Sequence, residues 1–317
     1  MINYVSTIVK SNNPNLTILK FAVILGLLLL FILLQRLSSP PHEKKTEGFT
    51  QQEQFVLKQN QDVYDGFYAD IYDDLNNTTD RCQRELIEII KMTEPTTKHS
   101  VFLDVGSGTG CIVNELQEAG YNAYGIDKSK DMVEYAEKIH TNASFKTGDV
   151  MDPMAFEKST FTHILCTNFT VYLFEDKLTF FRNCYHWMLP NGYLIIHLVE
   201  PNKFNMPIKN PNHISNAFSQ NANKRRTESN IEYQDFRYSA SYRTCQSKDS
   251  CGVTFKETFV DRKTNHVRQN EQTMYMNKID DILRIANNAG FIINGKVDMK
   301  KINDDENQYI YIFERPM

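Results

Sequence analysis

The sequence predicts an α/β fold: a mostly parallel sheet covered by helices, with a small antiparallel β insert after its fifth strand and a transmembrane helix ahead of the folded part. Three observations carry this. From about residue 100, apolar runs of strand length alternate with amphipathic stretches of helix length. After residue 201 the pattern turns to alternating polar and apolar positions, the mark of strands wetted on one face. Residues 16–34, LTILKFAVILGLLLLFILL, contain a single charge, Lys20.

The N-terminal segment comes first. Its nineteen residues reach roughly 28 Å as a helix, against about 30 Å of bilayer hydrocarbon, and Lys20 can snorkel to the head groups. A single-pass anchor is expected, with the membrane as partner through residues 16–34. Lys10 and Lys20 precede the span and Arg36, Lys44 and Lys45 follow it, a balance that places the remainder of the chain on the cytosolic side. Acceptor triplets for glycosylation at Asn76, Asn77, Asn142 and Asn168 agree, because a glycan at Asn168 would fall at the end of a core strand. Residues 1–48 therefore read as anchor and linker, and 49–317 as one domain with a covering insert over 201–276.

Within that domain, residues 101–106 (VFLDVG) form a buried strand and 109–119 a helix stopped by Gly120. A second strand follows over 122–127, then a helix over 129–140 that Ser129 can cap. Strands three to five fall at 144–149, 161–168 and 192–199, with a helix over 175–189 and a Pro190-Asn191-Gly192 turn into the fifth strand. The insert supplies strand segments at 231–245, 253–261 and 267–276. A helix over 278–289, ended by Gly290, and strands at 291–298 and 308–314 complete the chain.

Composition narrows the function classes. The chain has 317 residues, 41% apolar and 23% charged, with a net charge of −4; residues 49–317 carry 30 basic and 37 acidic side chains, or −7. Nucleic acid is disfavoured as a partner, since phosphate binding leaves a basic footprint. The six cysteines, at 82, 111, 166, 184, 245 and 251, lack paired zinc spacing, and the histidines show none, so no metal is implied. Lys224-Arg225-Arg226 reads either as solvated surface or as a seat for an anionic substrate. Nothing in the sequence indicates an oligomeric state.

The chemistry concentrates at Asp104-Val-Gly106-Ser107-Gly108-Thr-Gly110, where a strand turns into a helix at the ligand-binding edge of an open sheet. Glycines let the backbone approach a ligand, and the helix start offers unpaired N–H groups. The G-x-G-x-G spacing and the preceding acid suit an ammonium-bearing ligand better than a pyrophosphate. Asp127, ending the second strand, is placed to accept from ribose hydroxyls, and Asp149, ending the third, to meet an adenine amino group.

On these residues the sequence resembles the class I S-adenosylmethionine-dependent methyltransferases, over about residues 60–317. VFLDVGSGTG is similar to the family's first motif, YGIDKSKDMVEYA to its ribose-binding acid and helix, FKTGDV to its adenine-side motif and PNGYLIIHL to its fifth-strand entry. The resemblance implies a Rossmann-like, seven-stranded core with S-adenosyl-L-methionine as cofactor. It implies that the backbone from Gly106 to Gly110, including Ser107 and Gly108, holds the methionine part with Asp104 nearby. Asp127 then binds the ribose, Met132 packs on adenine, and Asp149 and Val150 read its edge. Lys128 and Asn168 complete the candidate cofactor set.

VYDGFYADIYDDL resembles the tyrosine-rich N-terminal helix of small-molecule N-methyltransferases, those acting on amino sugars or glycine, in which a tyrosine closes over the cofactor. That makes Tyr72, Tyr64 and Tyr68 candidates; packing on the sheet would explain such a stripe equally well. The fourth strand ends in Thr167-Asn168-Phe169-Thr170, without the Pro-Pro signature of methyltransferases acting on bases and glutamine. A small-molecule acceptor follows, amine ahead of hydroxyl. An amine that arrives neutral needs no base; for a hydroxyl, His197 and Glu200, near the end of strand five, are the candidate catalytic residues, although His197 also fits a core position. The alternatives are RNA or protein methylation, or a non-catalytic scaffold with the cofactor fold.

Overall fold

The computed structural model describes residues 52–204, 228–233, 235–244, 252–303 and 305–317. In chain order these form β1 (Phe55–Gln59), a 3-10 turn (Asn60–Val63), α1 (Gly66–Asn76), α2 (Thr78–Thr93), β2 (Val101–Val105), α3 (Cys111–Glu118), β3 (Asn122–Asp127), α4 (Lys130–Ile139), β4 (Ser144–Thr147) and β5 (Phe161–Cys166). A 3-10 turn (Thr170–Leu173), α5 (Lys177–Trp187) and β6 (Met188–Val199) follow. Then come β7 (Glu228–Glu232), β8 (Phe236–Thr244), β9 (Gly252–Asp261), β10 (Val267–Tyr275), α6 (Ile279–Asn288), β11 (Ile292–Asp298), α7 (Lys300–Asn303) and β12 (Gln308–Glu314).

The first sheet has seven strands in the order β11-β12-β6-β5-β2-β3-β4. β2 to β6 run parallel, and β12 enters antiparallel between β6 and β11. Alternation along β2 sends Phe102 to one face and Leu103 to the other, and each face carries its own apolar cluster. On one face Leu103, Ile126, Phe180, Trp187 and Ile196 are fully buried or nearly so; on the other Phe102, Val113, Leu116, Leu165 and Ile195 are. Strands buried on both faces must be apolar throughout, which is why they stood out as runs. β2 has β5 on one side and β3 on the other, so the chain reverses its direction of travel across the sheet at β2, above which an open α/β sheet binds its ligand.

Side-chain caps fix the helices around that edge. Asp65 accepts from the Tyr68 backbone N–H to start α1, Ser129 accepts from that of Met132 to start α4, and Asp176 from that of Thr179 to start α5.

Two expectations about the architecture are corrected. The insert is not a separate antiparallel sheet: β7 to β10 are antiparallel, but β1 adds parallel to β10, giving a mixed sheet in the order β1-β10-β9-β8-β7. Five residues of ordinary polarity before the tyrosine helix gave no sign of that distant partner. The transmembrane helix expected over 16–34 lies outside the described residues, and among the described residues no helix is long and apolar enough to cross a membrane. The fold is thus a Rossmann-like core with a second, mixed sheet. Lys224-Arg225-Arg226, Cys245 and Cys251 also lie outside the described residues.

Candidate functional site

The glycine loop between β2 and α3 is shaped by close approaches. Gly106 sits at φ +68°, where a Cβ would come 2.6 Å from the Thr170 methyl, and Gly110 at φ +86°, where a Cβ would meet the Phe145 ring at 2.4 Å. Larger residues fail at both positions on backbone and steric grounds. The N–H groups of Gly106 and Ser107 donate to the Ile126 carbonyl at 2.8 and 3.1 Å, which ties the loop to β3. Asp127, at the end of β3, braces it further: one carboxylate oxygen accepts from the Gly108 N–H at 2.9 Å, the other from the Ser129 N–H at 2.8 Å. Burial raises the Asp127 pKa, and these backbone donors pull it partly back.

A cavity of about 630 Å³ opens over this edge, between the strand ends and the second sheet. Tyr72, Gly106, Gly108, Asp127, Lys128, Met132, Asp149, Val150 and Asn168 line it, with Tyr64 and Tyr68. Lys128 and Asp149 form an ion pair at 2.8 Å on its rim. The Asp149 pKa lies below the usual carboxylate range: partial burial works upward, and the Lys128 hydrogen bond and charge together with the Met151 N–H outweigh it. Ser107 and Gly110 support the loop from behind rather than lining the cavity, and Asp104 is buried below it.

Asp104 belongs to a charged cluster that the sequence reading missed. Burial pushes its pKa well up, and the neighbouring Asp127 and Glu85 carboxylates push further, against the pull of Arg81. Glu85 is fully buried, with neither carboxylate oxygen hydrogen-bonded, and Arg81 Nε lies 3.8 Å from it. The Arg81 guanidinium also donates to the Asn168 side-chain oxygen, and the Asn168 amide donates to the Tyr72 hydroxyl at 2.8 Å. Both charged residues come from α2. Arg81 and Glu85, four apart, were visible as a helical pair, but such pairs ordinarily lie in water, so the pattern carried no warning that this one faces inward.

The two candidate bases are not brought to the cavity. His197 is buried, its ring stacked on Phe169 at 4.2 Å and its Nε2 3.0 Å from the Gln308 side-chain oxygen. Burial, with the Arg81 charge adding to it, holds its pKa down to about 3. His197 is therefore a neutral core residue, and it and Glu200, just beyond β6, are both absent from the cavity wall. Parallel strands buried on both faces give an inward-pointing histidine no route to the ligand edge, which corrects the catalytic expectation for His197; Glu200 is not part of the cavity wall.

The remaining residues fit S-adenosylmethionine. Gly108 has no heavy atom within 4 Å of where a Cβ would stand, so the loop presents bare backbone to the cavity. Asp127 offers carboxylate lone pairs for a ribose, Lys128 and Asp149 edge the side for an adenine, and buried carboxylates beneath the loop suit a ligand bearing ammonium and sulfonium charge.

The comparisons with known proteins agree. Residues 103–196 match the family model described as a methyltransferase domain. No curated protein matches the chain. Among solved structures, an S-adenosylmethionine-dependent methyltransferase from Clostridium acetobutylicum shares 18% identity, covering 79% of this chain and 98% of its own, with a TM-score of 0.59. The sugar N-methyltransferase KedS8 from Streptoalloteichus shares 17% over 76% and 90%, with a TM-score of 0.54. The S-adenosylmethionine-bound amino pentose methyltransferase CalS10 from Micromonospora echinaspora shares 14% over 75% and 91%, with a TM-score of 0.52. These likenesses establish the fold, and the domain match agrees with the activity and cofactor that the motifs implied.

Proposed function

We propose that this S-adenosylmethionine-dependent methyltransferase passes its methyl group to the amino nitrogen of a small molecule bound beneath the second sheet. The observation that carries the reading is the composition of the cavity wall. Its cofactor half is the glycine loop with Asp127 and Asp149; its other half is aromatic and polar, built from Phe174 and from Phe255, Gln272, Thr273, Met274 and Tyr275 of the second sheet. Among the described residues that line it there is no histidine or cysteine, its one lysine is paired with Asp149, and its other carboxylates are engaged, Asp127 by the Gly108 and Ser129 N–H groups, Asp176 by the Thr179 N–H and hydroxyl and Glu175 by Tyr275. A hydroxyl acceptor would call for a base; an amine that arrives neutral brings its own lone pair.

When bound, S-adenosylmethionine supplies a sulfonium methyl, which the amine lone pair takes as the S–C bond breaks and sulfur keeps the electron pair. The chain contributes placement and dryness. Asp127 would hold the ribose, Met132 would pack beside the adenine, and the backbone at Gly106 and Gly108 would hold the charged amino-acid end. The α1 tyrosines and the second sheet exclude water. After transfer the product nitrogen sheds its proton to solvent. That KedS8 and CalS10 are named for amino-sugar acceptors and share this fold supports a nitrogen acceptor.

The test has two stages. S-adenosylmethionine and S-adenosylhomocysteine are titrated calorimetrically into the full chain. Labelled methyl transfer is then measured to matched small amines and alcohols. Binding followed by labelling of amines is expected. Preferential labelling of the alcohols would overturn the nitrogen reading, and absence of cofactor binding by the folded protein would overturn the activity.

A further inference from the structure

Behind the acceptor half of the cavity lies a carboxylate that the transfer as described does not use. Glu257, on β9, is 1% exposed; one of its oxygens accepts from the Tyr68 hydroxyl at 2.8 Å and the other from the Tyr238 hydroxyl at 2.7 Å. A buried carboxylate is costly unless its lone pairs are satisfied, and two phenols do this here. Tyr68 also lines the cavity, held edge-to-face between Tyr64 and Tyr72 with ring centroids 5.8 Å apart on each side. With its proton committed to Glu257, the Tyr68 oxygen has only lone pairs left to offer. Burial, with the Glu257 charge adding to it, raises the Tyr68 pKa well up, so the residue stays a neutral phenol that accepts hydrogen bonds.

Charge supplies an independent observation. Among the described residues the cavity wall carries the carboxylates Asp127, Asp149, Glu175 and Asp176, and the one cation among them, Lys128, is held 2.8 Å from Asp149. A phosphate-linked acceptor needs N–H cations around it, and among the described residues this wall presents it with acids.

We propose, resting on the amine reading above, that Tyr68, oriented by Glu257, is a specificity-determining residue that accepts an N–H from the acceptor, and that the acceptor is a phosphate-free primary or secondary amine. An amine donating one N–H to the Tyr68 oxygen keeps its lone pair free to attack. A tertiary amine has no such hydrogen to give.

The experiment loads the full chain with S-adenosylhomocysteine and titrates it with phenethylamine, glucosamine, N,N-dimethylphenethylamine and uridine-diphosphate-linked glucosamine. At least one of the two primary amines is expected to bind, and the tertiary and diphosphate-linked compounds at least about tenfold more weakly than it. Tyr68→Phe keeps the ring; it should weaken the primary amine by about tenfold and leave S-adenosylhomocysteine binding within about twofold. In Glu257→Gln the new amide can donate to the Tyr68 oxygen and fill its lone pair, so the KM for amine should rise while the KM for S-adenosylmethionine does not, a split that a general loss of packing would not produce. The proposal is overturned if neither primary amine binds, if the diphosphate-linked or tertiary compound binds as well as the primary amines, or if Tyr68→Phe changes nothing. Failure of the unaltered protein to bind S-adenosylhomocysteine would instead remove the methyltransferase reading beneath it.

Discussion

Asn168 donates its side-chain amide to the Tyr72 hydroxyl at 2.8 Å while its amide oxygen accepts from Arg81, so a single side chain, two positions beyond the end of β5, grips both α1 and α2. The cofactor side of the cavity is closed by this junction. Tyr72→Phe removes one hydroxyl and leaves the ring; S-adenosylhomocysteine affinity should fall about three- to tenfold with little change in melting temperature. Unchanged affinity in a calorimetric titration would reduce Tyr72 to packing.

Asp127 has two tasks, bracing the loop through Gly108 and Ser129 and offering its remaining lone pairs to the ligand. Asp127→Asn keeps the shape but turns one acceptor into a donor facing a backbone N–H. Cofactor affinity should drop about ten- to one hundredfold, in line with the loss of charge-assisted hydrogen bonds worth about 1.5–3 kcal/mol. Equilibrium titration of the variant checks it, and a drop of less than threefold would remove Asp127 from the ligand contacts.

Glu85 is fully buried and Arg81 is its ion-pair partner. Arg81→Met leaves that carboxylate alone in the interior, at an expected cost of about 3–5 kcal/mol, whereas Glu85→Gln should cost about 1 kcal/mol. Urea unfolding of the two variants decides; equal costs would show that the pair contributes only as packing.

The stability should depend on pH through His197 and His163, held by burial down to about 3 and about 4. Both are neutral when folded and protonate near 6.5 when unfolded, so the unfolded chain binds more protons below that value. Stability therefore rises with pH from about 4 to about 6.5 and is lost on acidification, each histidine contributing up to about 1.4 kcal/mol per pH unit. The raised pKa values of Asp104, Glu85 and Asp127 act with the opposite sign, so the contribution is read as a difference. His197→Gln should flatten the slope of unfolding free energy between pH 5 and 6.5 by about one proton. An unchanged slope would mean that His197 is protonated in the fold.

Lys128 is more than half exposed and Asp149 over a third, so their ion pair should add little to stability. If Asp149 is to meet an adenine amino group, however, Lys128 competes for it. Lys128→Ala should leave the melting temperature within about 1 °C and tighten S-adenosylhomocysteine binding about two- to fivefold. Weaker binding would make Lys128 a ligand contact in its own right.

Much of this was readable in the chain because buried parallel strands must be apolar and because glycines are needed where Thr170 and Phe145 crowd the loop. The strand ends therefore announced Asp127, Asp149 and Asn168. The residues that escaped owe their place to long-range packing. Glu257 and Tyr238 sit on strands whose alternation gives a face but not what that face meets, and Tyr68 is 189 positions from Glu257. His197 misled for the converse reason: its position on a strand aimed at the ligand edge suggested chemistry, while Phe169 and Gln308, which claim the ring, come from elsewhere in the sequence.

The parallel pairing of β1 with β10 has a consequence for how the molecule is made. Gln59 and Glu271, hydrogen-bonded neighbours in that ladder, are 212 positions apart. At roughly 5–20 residues per second, a ribosome that has just released the first strand needs about 10–40 s to deliver its partner. Through that interval the tyrosine face of the first helix waits without its roof. The methyl-transfer chamber is therefore among the last parts of the molecule to be completed, and a nascent chain cut short before β10 carries the glycine loop but no enclosed place to use it.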